Sequence, residues 1–170
     1  MDSPILLFAS VAVIIVLALL LPRWIRRSSE ARGVLAGRRF EEEQLRSILD
    51  ALGTTVELQT EPDTARRLVD AAAGQEPRKF TILGDGVYGI RFLEADDAIA
   101  RLVPTARGAR LQIVEFREYL GRPNTAGFWT DLRTAVTEAA SARGIAHETP
   151  AATSLFDRDD GHRPTWRLHV

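Results

Sequence analysis

The sequence predicts an α+β fold in which an antiparallel β-meander is covered by a long C-terminal helix and preceded by one transmembrane helix. Three patterns carry this expectation. Residues Ile5–Leu21 form an apolar run without a single charge. Most of residues 54–119 alternate with the period of strands, and residues 125–140 repeat apolar side chains at helical spacing.

At 1.5 Å per residue the 17 residues Ile5–Leu21 make about 25 Å of helix, and Pro22, Trp24 and Ile25 carry it into the headgroup layer of a hydrocarbon core about 30 Å thick. Ile5, Leu6, Leu7, Phe8, Val13, Ile14, Ile15 and Leu21 are the expected lipid-facing anchor, with Trp24 at the interface. Met1 to Pro4 contain no Lys or Arg, whereas Arg23, Arg26, Arg27, Arg32, Arg38 and Arg39 follow the run. Cations beside a span stay on the cytoplasmic side. The expectation is therefore an N-terminus outside the cell membrane and a body from Arg23 to Val170 in the cytoplasm. A cleaved signal peptide needs a basic start and a small-x-small cleavage site, and Asp2 and Leu20-Leu21-Pro22-Arg23 provide neither.

Four regions follow: the anchor over 1–27, a juxtamembrane amphipathic helix over 28–53, an α+β domain over 54–147, and a polar tail over 148–170 with an edge strand at its end. In the second region Leu45, Ile48, Leu49 and Leu52 recur at i, i+3, i+4, i+7, Phe40 lies a turn earlier, and Gly53 stands where a helix ends. That stripe suits packing on the domain behind it, self-association of two copies through residues 40–52, or a helix lying on the bilayer.

Thr55–Gln59 alternates as a half-buried strand. Thr60-Glu61-Pro62-Asp63 then opens a helix, with Thr60 as the cap, Pro62 in the first turn and Asp63 at the positive helix end; Ala65, Leu68, Val69 and Ala72 line its inner face and Gly74 ends it. Lys79–Leu83 and Val87–Phe92 flank Gly84-Asp85-Gly86 as a hairpin, with Tyr88, Ile90 and Phe92 on one apolar face. Asp96-Asp97 breaks the chain. Ala98–Val103 and Ala109–Tyr119 make a second hairpin around a Pro104–Gly108 loop. Within it Leu111 and Ile113 differ in parity from Val114 and Phe116, which requires burial on both faces or a bulge. Phe128, Trp129, Leu132, Ala135, Val136, Ala139 and Ala140 form the stripe of the long helix, capped by Asn124 or Thr125 and closed by Gly144. Residues 148–165 read as a loose tail, and Trp166, Leu168 and Val170 alternate as a final edge strand.

The absence of cysteine excludes disulfides and thiolate metal sites. A net charge of −1 argues against a nucleic-acid partner. Gly84-Asp85-Gly86-Val87-Tyr88-Gly89 spells G-x-G-x-x-G, but a dinucleotide site needs a helix starting in that loop and an acid about 20 residues on. Ile90–Phe92 alternates as a strand and Glu115 falls too late, so a hairpin turn is expected. Asp157–His162 places Gly161 one position early for a calcium loop, and His147, His162 and His169 lack ligand spacing. No cofactor, metal or catalytic residue is expected. Arg91, Arg101, Arg110 and Arg117 share a sheet face, either as a patch for an anionic partner or, as preferred, as a solvated face laced with Glu115 and Glu118.

Thr55-Val56-Glu57-Leu58 followed by Glu61-Pro62, the hairpin strand Gly108–Glu115, and the helix carrying Gly127-Phe128-Trp129 and Leu132 together resemble a shortened helix-grip domain of the START-like superfamily of polyketide cyclases and lipid-transfer proteins. The likeness spans residues 54–144. It implies a sheet wrapped on the last helix with an apolar pocket between them, and it carries over no functional residue. The functional expectation is a non-catalytic domain that binds a protein partner or a small apolar ligand beside the lipid bilayer, through Tyr88, Phe92, Phe128, Trp129 and Leu132. The alternative is a membrane-tethered cyclase or lipid-transfer protein using the pocket under the helix.

Overall fold

The computed structural model describes residues 39–150 and 156–169. The expected anchor, Ile5 to Leu21 with Trp24, lies outside the described residues. Among the described residues no helix is long and apolar enough to cross a membrane. The chain divides into two compact units, Met1–Gln44 and Leu45–Val170. The described part of the first is the opening of helix α1, which runs over 39–53 and exposes Phe40. In the second unit Leu52 of α1 is fully buried, and Leu45, Ile48 and Leu49 pack against the same core. That stripe therefore packs on its own domain.

The rest of the second unit is α+β. Among the described residues a sheet of nine strands takes the order β2-β3-β4-β5-β1-β7, with β6 and β9 also on β5 and β8 on β9. The strands are β1 (Val56–Leu58), β2 (Phe80–Gly84), β3 (Val87–Ile90), β4 (Ala98–Thr105), β5 (Gly108–Tyr119), β6 (Arg122–Pro123), β7 (His147–Glu148), β8 (Phe156–Asp159) and β9 (Thr165–Leu168). Helix α2 (Pro62–Gln75) follows β1, and helix α3 (Ala126–Ala142) follows β6. All pairings are antiparallel.

Strand β5, with 12 residues, is the hub. It pairs β4 from Gly108 to Phe116, and also pairs β1 through its first residues (Val56 with Leu111, Leu58 with Ala109) and β9 through Glu115–Arg117. The parity conflict seen in the sequence is resolved by a bulge. Ile99 pairs Glu115 and Ala100 pairs Ile113, which leaves Val114 as the extra residue. Ala109, Leu111 and Ile113 are buried before the bulge, and Phe116 and Glu118 after it.

Several local expectations are corrected. Phe92 lies beyond β3, which ends at Ile90, and is 40% exposed. Thr60 does not cap α2. Glu61 occupies that position and its side chain makes no cap bond; its carbonyl instead accepts the N–H groups of Thr64 and Ala65 at 2.9 Å. Helix α2 passes Gly74 and ends at Gln75. Thr125 precedes α3 without a capping side chain, and the Asn124 amide donates to the carbonyls of Tyr119 and Arg122. The β4–β5 loop shrinks to Ala106-Arg107, because Pro104 and Thr105 pair Ala109 and Gly108. Residues 156–159 are a strand rather than loose tail, since β8 and β9 form a hairpin docked on β5. At the end of α3, Gly144 takes φ 66°. There Gly144 N–H donates to Ser141 and Ile145 N–H to Ala140, a Schellman closure.

The interface between helices and sheet is lined with buried side chains. Tyr88, Phe116, Trp129, Leu58, Leu68, Ile90, Leu111, Ile113 and Leu132 are fully buried there. The two large polar tips are satisfied: Trp129 Nε1 donates to the Thr54 carbonyl at 3.1 Å, and Tyr88 Oη to Asp70 Oδ1 at 2.8 Å. Gly108 sits where a Cβ would lie 2.0 Å from the Leu58 carbonyl oxygen and 2.9 Å from Thr60 N. No side chain fits that approach of backbone to backbone.

Trp129→Ala is expected to cost about 3 to 5 kcal/mol, through lost burial and the cavity it leaves. Chemical denaturation of the full-length protein in detergent, followed by near-UV circular dichroism, measures this. Gly108→Ala should be strongly destabilising in the same assay, whereas Gly144→Ala meets only an unfavourable φ and should cost about 1 kcal/mol.

Candidate functional site

Of the five residues expected on a partner or ligand face, the structure buries three. Tyr88, Trp129 and Leu132 are core residues with no exposed surface, and Phe128 is half-buried at the edge of the same cluster. Tyr88, Trp129 and Leu132 therefore present no surface to a docking partner. Phe92 alone is exposed, and it stands apart from the others, beside Tyr119.

That separation comes from the β3–β4 connection. After Ile90 the chain turns through residues 91–97 and is tied down by Asp97, whose side chain is fully buried. Asp97 Oδ2 accepts the backbone N–H groups of Phe92, Leu93 and Glu94, and Oδ1 accepts the Tyr119 hydroxyl. One carboxylate thereby fixes three consecutive residues of the loop to the end of β5. Gly89 makes room for the loop, since a Cβ there would lie 2.3 Å from the Ala95 carbonyl oxygen. Burial by itself would push the Asp97 carboxyl up, but the bonds from Tyr119, Leu93, Glu94 and Phe92 outweigh it and hold the group below its ordinary value. The same contact raises the Tyr119 hydroxyl. Arg117 buttresses the loop from outside, at 2.9 Å from Asp96 and 3.0 Å from Glu94, and Arg163 reaches Glu94 at 2.9 Å.

Beside this node β5 turns into β6 through Leu120-Gly121. Tyr119 pairs Arg122, so the turn has two central residues, both with positive φ, 55° and 77°. Such a turn favours Asn, Asp or Gly at its first position. Leucine there is strained by about 1 kcal/mol, and its side chain is fully exposed. Phe92, Leu93, Tyr119, Leu120, Arg122 and Asn124 together line an open hollow of about 630 Å³, with the Phe92 and Tyr119 rings 5.8 Å apart. Leu93 is 63% exposed. A second hollow, of about 450 Å³, is lined by residues of the β1–α2 and β4–β5 loops, including Glu61 and Arg107.

The expected arginine face is incomplete: Arg101 is exposed on β4 and Arg91 lies beyond the end of β3, and neither forms an ion pair among the described residues, while the rest of that surface mixes charges. Arg110 lies 2.7 Å from Glu57, Arg117 is bound to Asp96 and Glu94, and Arg167 lies 3.0 Å from Glu115. Glu118 is absent from it. The bulge puts Glu118 on the side of Phe116, where it is buried and accepts from Trp166 Nε1 at 2.7 Å and from Arg158 Nη2 at 2.8 Å. Burial opposes its ionisation, yet Arg158 and Trp166 hold the carboxyl below its ordinary value. Gly84-Asp85-Gly86 is a hairpin turn, with Gly84 paired to Val87 and positive φ at Asp85 and Gly86, so no helix starts there to face a phosphate. Asp157 and Asp159 lie on β8, within a strand rather than in a cation-binding loop. Among the described residues, no group of three or more His, Asp or Glu side chains is placed to hold a metal ion.

The sequence reading missed Asp97, Tyr119, Leu93 and Leu120. A signal existed for the first, because a short carboxylate after a turn is suited to accept nearby N–H groups. None existed for Leu120, whose residue type contradicts its turn. No protein-family profile, curated protein or solved structure matches this chain.

Asp97 and Glu118 both have lowered folded-state pKa values, so the stability they add is complete above the ordinary carboxylate range of about 4. It is lost as pH falls below that range, through their lower folded values. Acid titration of stability should therefore flatten in Asp97→Asn. In the same variant, hydrogen exchange at the Leu93 and Glu94 amides should accelerate by about tenfold or more, as charge-assisted bonds are lost. Leu120→Asn should be stabilising by roughly 0.5 to 1 kcal/mol by relieving the left-handed leucine, measured as a rise in Tm.

Proposed function

We propose that this is a single-pass membrane-anchored protein whose cytoplasmic α+β domain is a non-catalytic binding module working at the bilayer. The observation that supports the reading is the burial of Tyr88, Phe116, Trp129 and Leu132 between sheet and helices, which leaves recognition to the outer surface. The cyclase or lipid-transfer alternative needs a chamber where those side chains stand, since small-molecule sites are clefts or cavities of about 300 Å³ or more. Kinship with the helix-grip domains is supported by the order strand, helix, meander and helix, and by nothing more specific. The tether rests on the charge-free run Ile5–Leu21 and the arginines from Arg23 to Arg39.

A protein partner is the proposed ligand, and the favoured surface is the edge of β2 that pairs no other strand among the described residues. This strand ends the sheet order and exposes Ile82 and Leu83, so its outward backbone groups can accept a further strand. Membranes carrying the full-length protein should retain it through alkaline carbonate extraction, and protease added to the cytoplasmic side should digest residues 45–170. Release by carbonate, or digestion only from the opposite side, overturns the anchor or its orientation. Ile82→Pro, which blocks strand addition at the edge, should abolish co-purification of a partner while leaving the protein in the membrane.

A further inference from the structure

The rim around the 630 Å³ hollow has a composition that folding does not call for. Leu120 is fully exposed at a turn position where a leucine is strained, and Leu93 and Phe92 are exposed on the neighbouring loop. That loop is not slack, because the buried Asp97 carboxylate binds the N–H groups of all three residues from Phe92 to Glu94. Two unrelated segments, 91–94 and 120–122, are thus held side by side with apolar tips outward. Each brings an exposed arginine, Arg91 and Arg122, and neither forms an ion pair among the described residues. Exposed apolar tips flanked by free cations are the chemistry that enters a headgroup layer: the side chains reach the acyl boundary while guanidinium groups meet phosphates.

We infer that Phe92, Leu93 and Leu120, with Arg91 and Arg122 beside them, form a docking surface for the anionic bilayer to which the chain is itself tethered. The inference rests on the anchored reading above. Only residues 22–38, 17 in all, separate the apolar run from α1, at most about 60 Å of fully extended chain. Over such a distance the effective concentration of membrane surface is high, so a weak contact of three apolar tips and two cations suffices to hold the domain down. The neighbouring acids Glu94, Asp96 and Asp97 do not cancel the attraction, because Arg117 and Arg163 offset two of the three charges and Arg91 and Arg122 outnumber the one that is left.

The chain has no cysteine, so Leu120→Cys and Asp85→Cys each accept a single nitroxide label. The two full-length proteins are reconstituted in vesicles of phosphatidylcholine with phosphatidylglycerol and read by paramagnetic resonance. The label at residue 120 should be several-fold more accessible to oxygen, relative to a water-soluble nickel relaxant, than the label in the Asp85 turn. Arg91→Gln and Arg122→Gln should each weaken that docking by roughly fivefold, and vesicles of phosphatidylcholine alone should show little of it. Equal water exposure at the two sites overturns the inference, and spin–spin broadening at residue 120 replaces the bilayer with a second copy of the chain. Flotation of the same vesicles separates the two readings. Protein that fails to float removes the tether together with the inference, whereas protein that floats with residue 120 in water removes the inference alone.

Discussion

The one extra residue in β5 decides what this sheet can cover. Without the Val114 bulge, a strand that buries Ala109, Leu111 and Ile113 would turn Arg117 inward and Phe116 to solvent. With it, Phe116 joins the core and stacks on Trp166 at 6.0 Å, with Phe156 edge-on at 4.9 Å. Arg117 is left outside, where it can hold the 91–97 loop. Core, C-terminal hairpin and surface loop all depend on a single change of parity.

Asp97 is the polar counterpart of that constraint. Its carboxylate is buried at the point where β4 begins and gathers four donors, three from the loop and one from the last residue of β5. A buried charge is tolerable only when it is so thoroughly hydrogen-bonded. Here the result is positional: Phe92 and Leu93 cannot fold down into the core. Their exposure is a built feature of the loop, as the exposure of Leu120 is of its turn.

Where local chemistry and tertiary packing agree, the sequence was readable. Asp85-Gly86 makes the expected hairpin turn, Pro62 opens α2, Gly144 closes α3, and the parity conflict at Val114 correctly offered a bulge. Trp129 and Leu132 were legible as helix–sheet packing but not as wholly enclosed, because periodicity tells which face turns inward and not how completely it is filled. Phe92 misled because it extends the alternation of Tyr88 and Ile90, while a residue five positions later ends the strand by capturing its backbone. The β8–β9 hairpin was illegible for a related reason. Phe156–Asp159 is mostly charged, and its pairing depends on Glu118 meeting Arg158 across 40 positions of sequence, a contact that no local pattern announces.

The order in which the sheet is assembled has a consequence for biosynthesis. Strand β9 closes the edge of β5 over Glu115–Arg117 and lays Trp166 across Phe116. The hub strand therefore keeps an open flank until nearly all of this sequence has emerged from the ribosome. A premature stop ahead of residue 165 would leave a half-finished sheet, its aromatic patch uncovered and open to quality-control proteases.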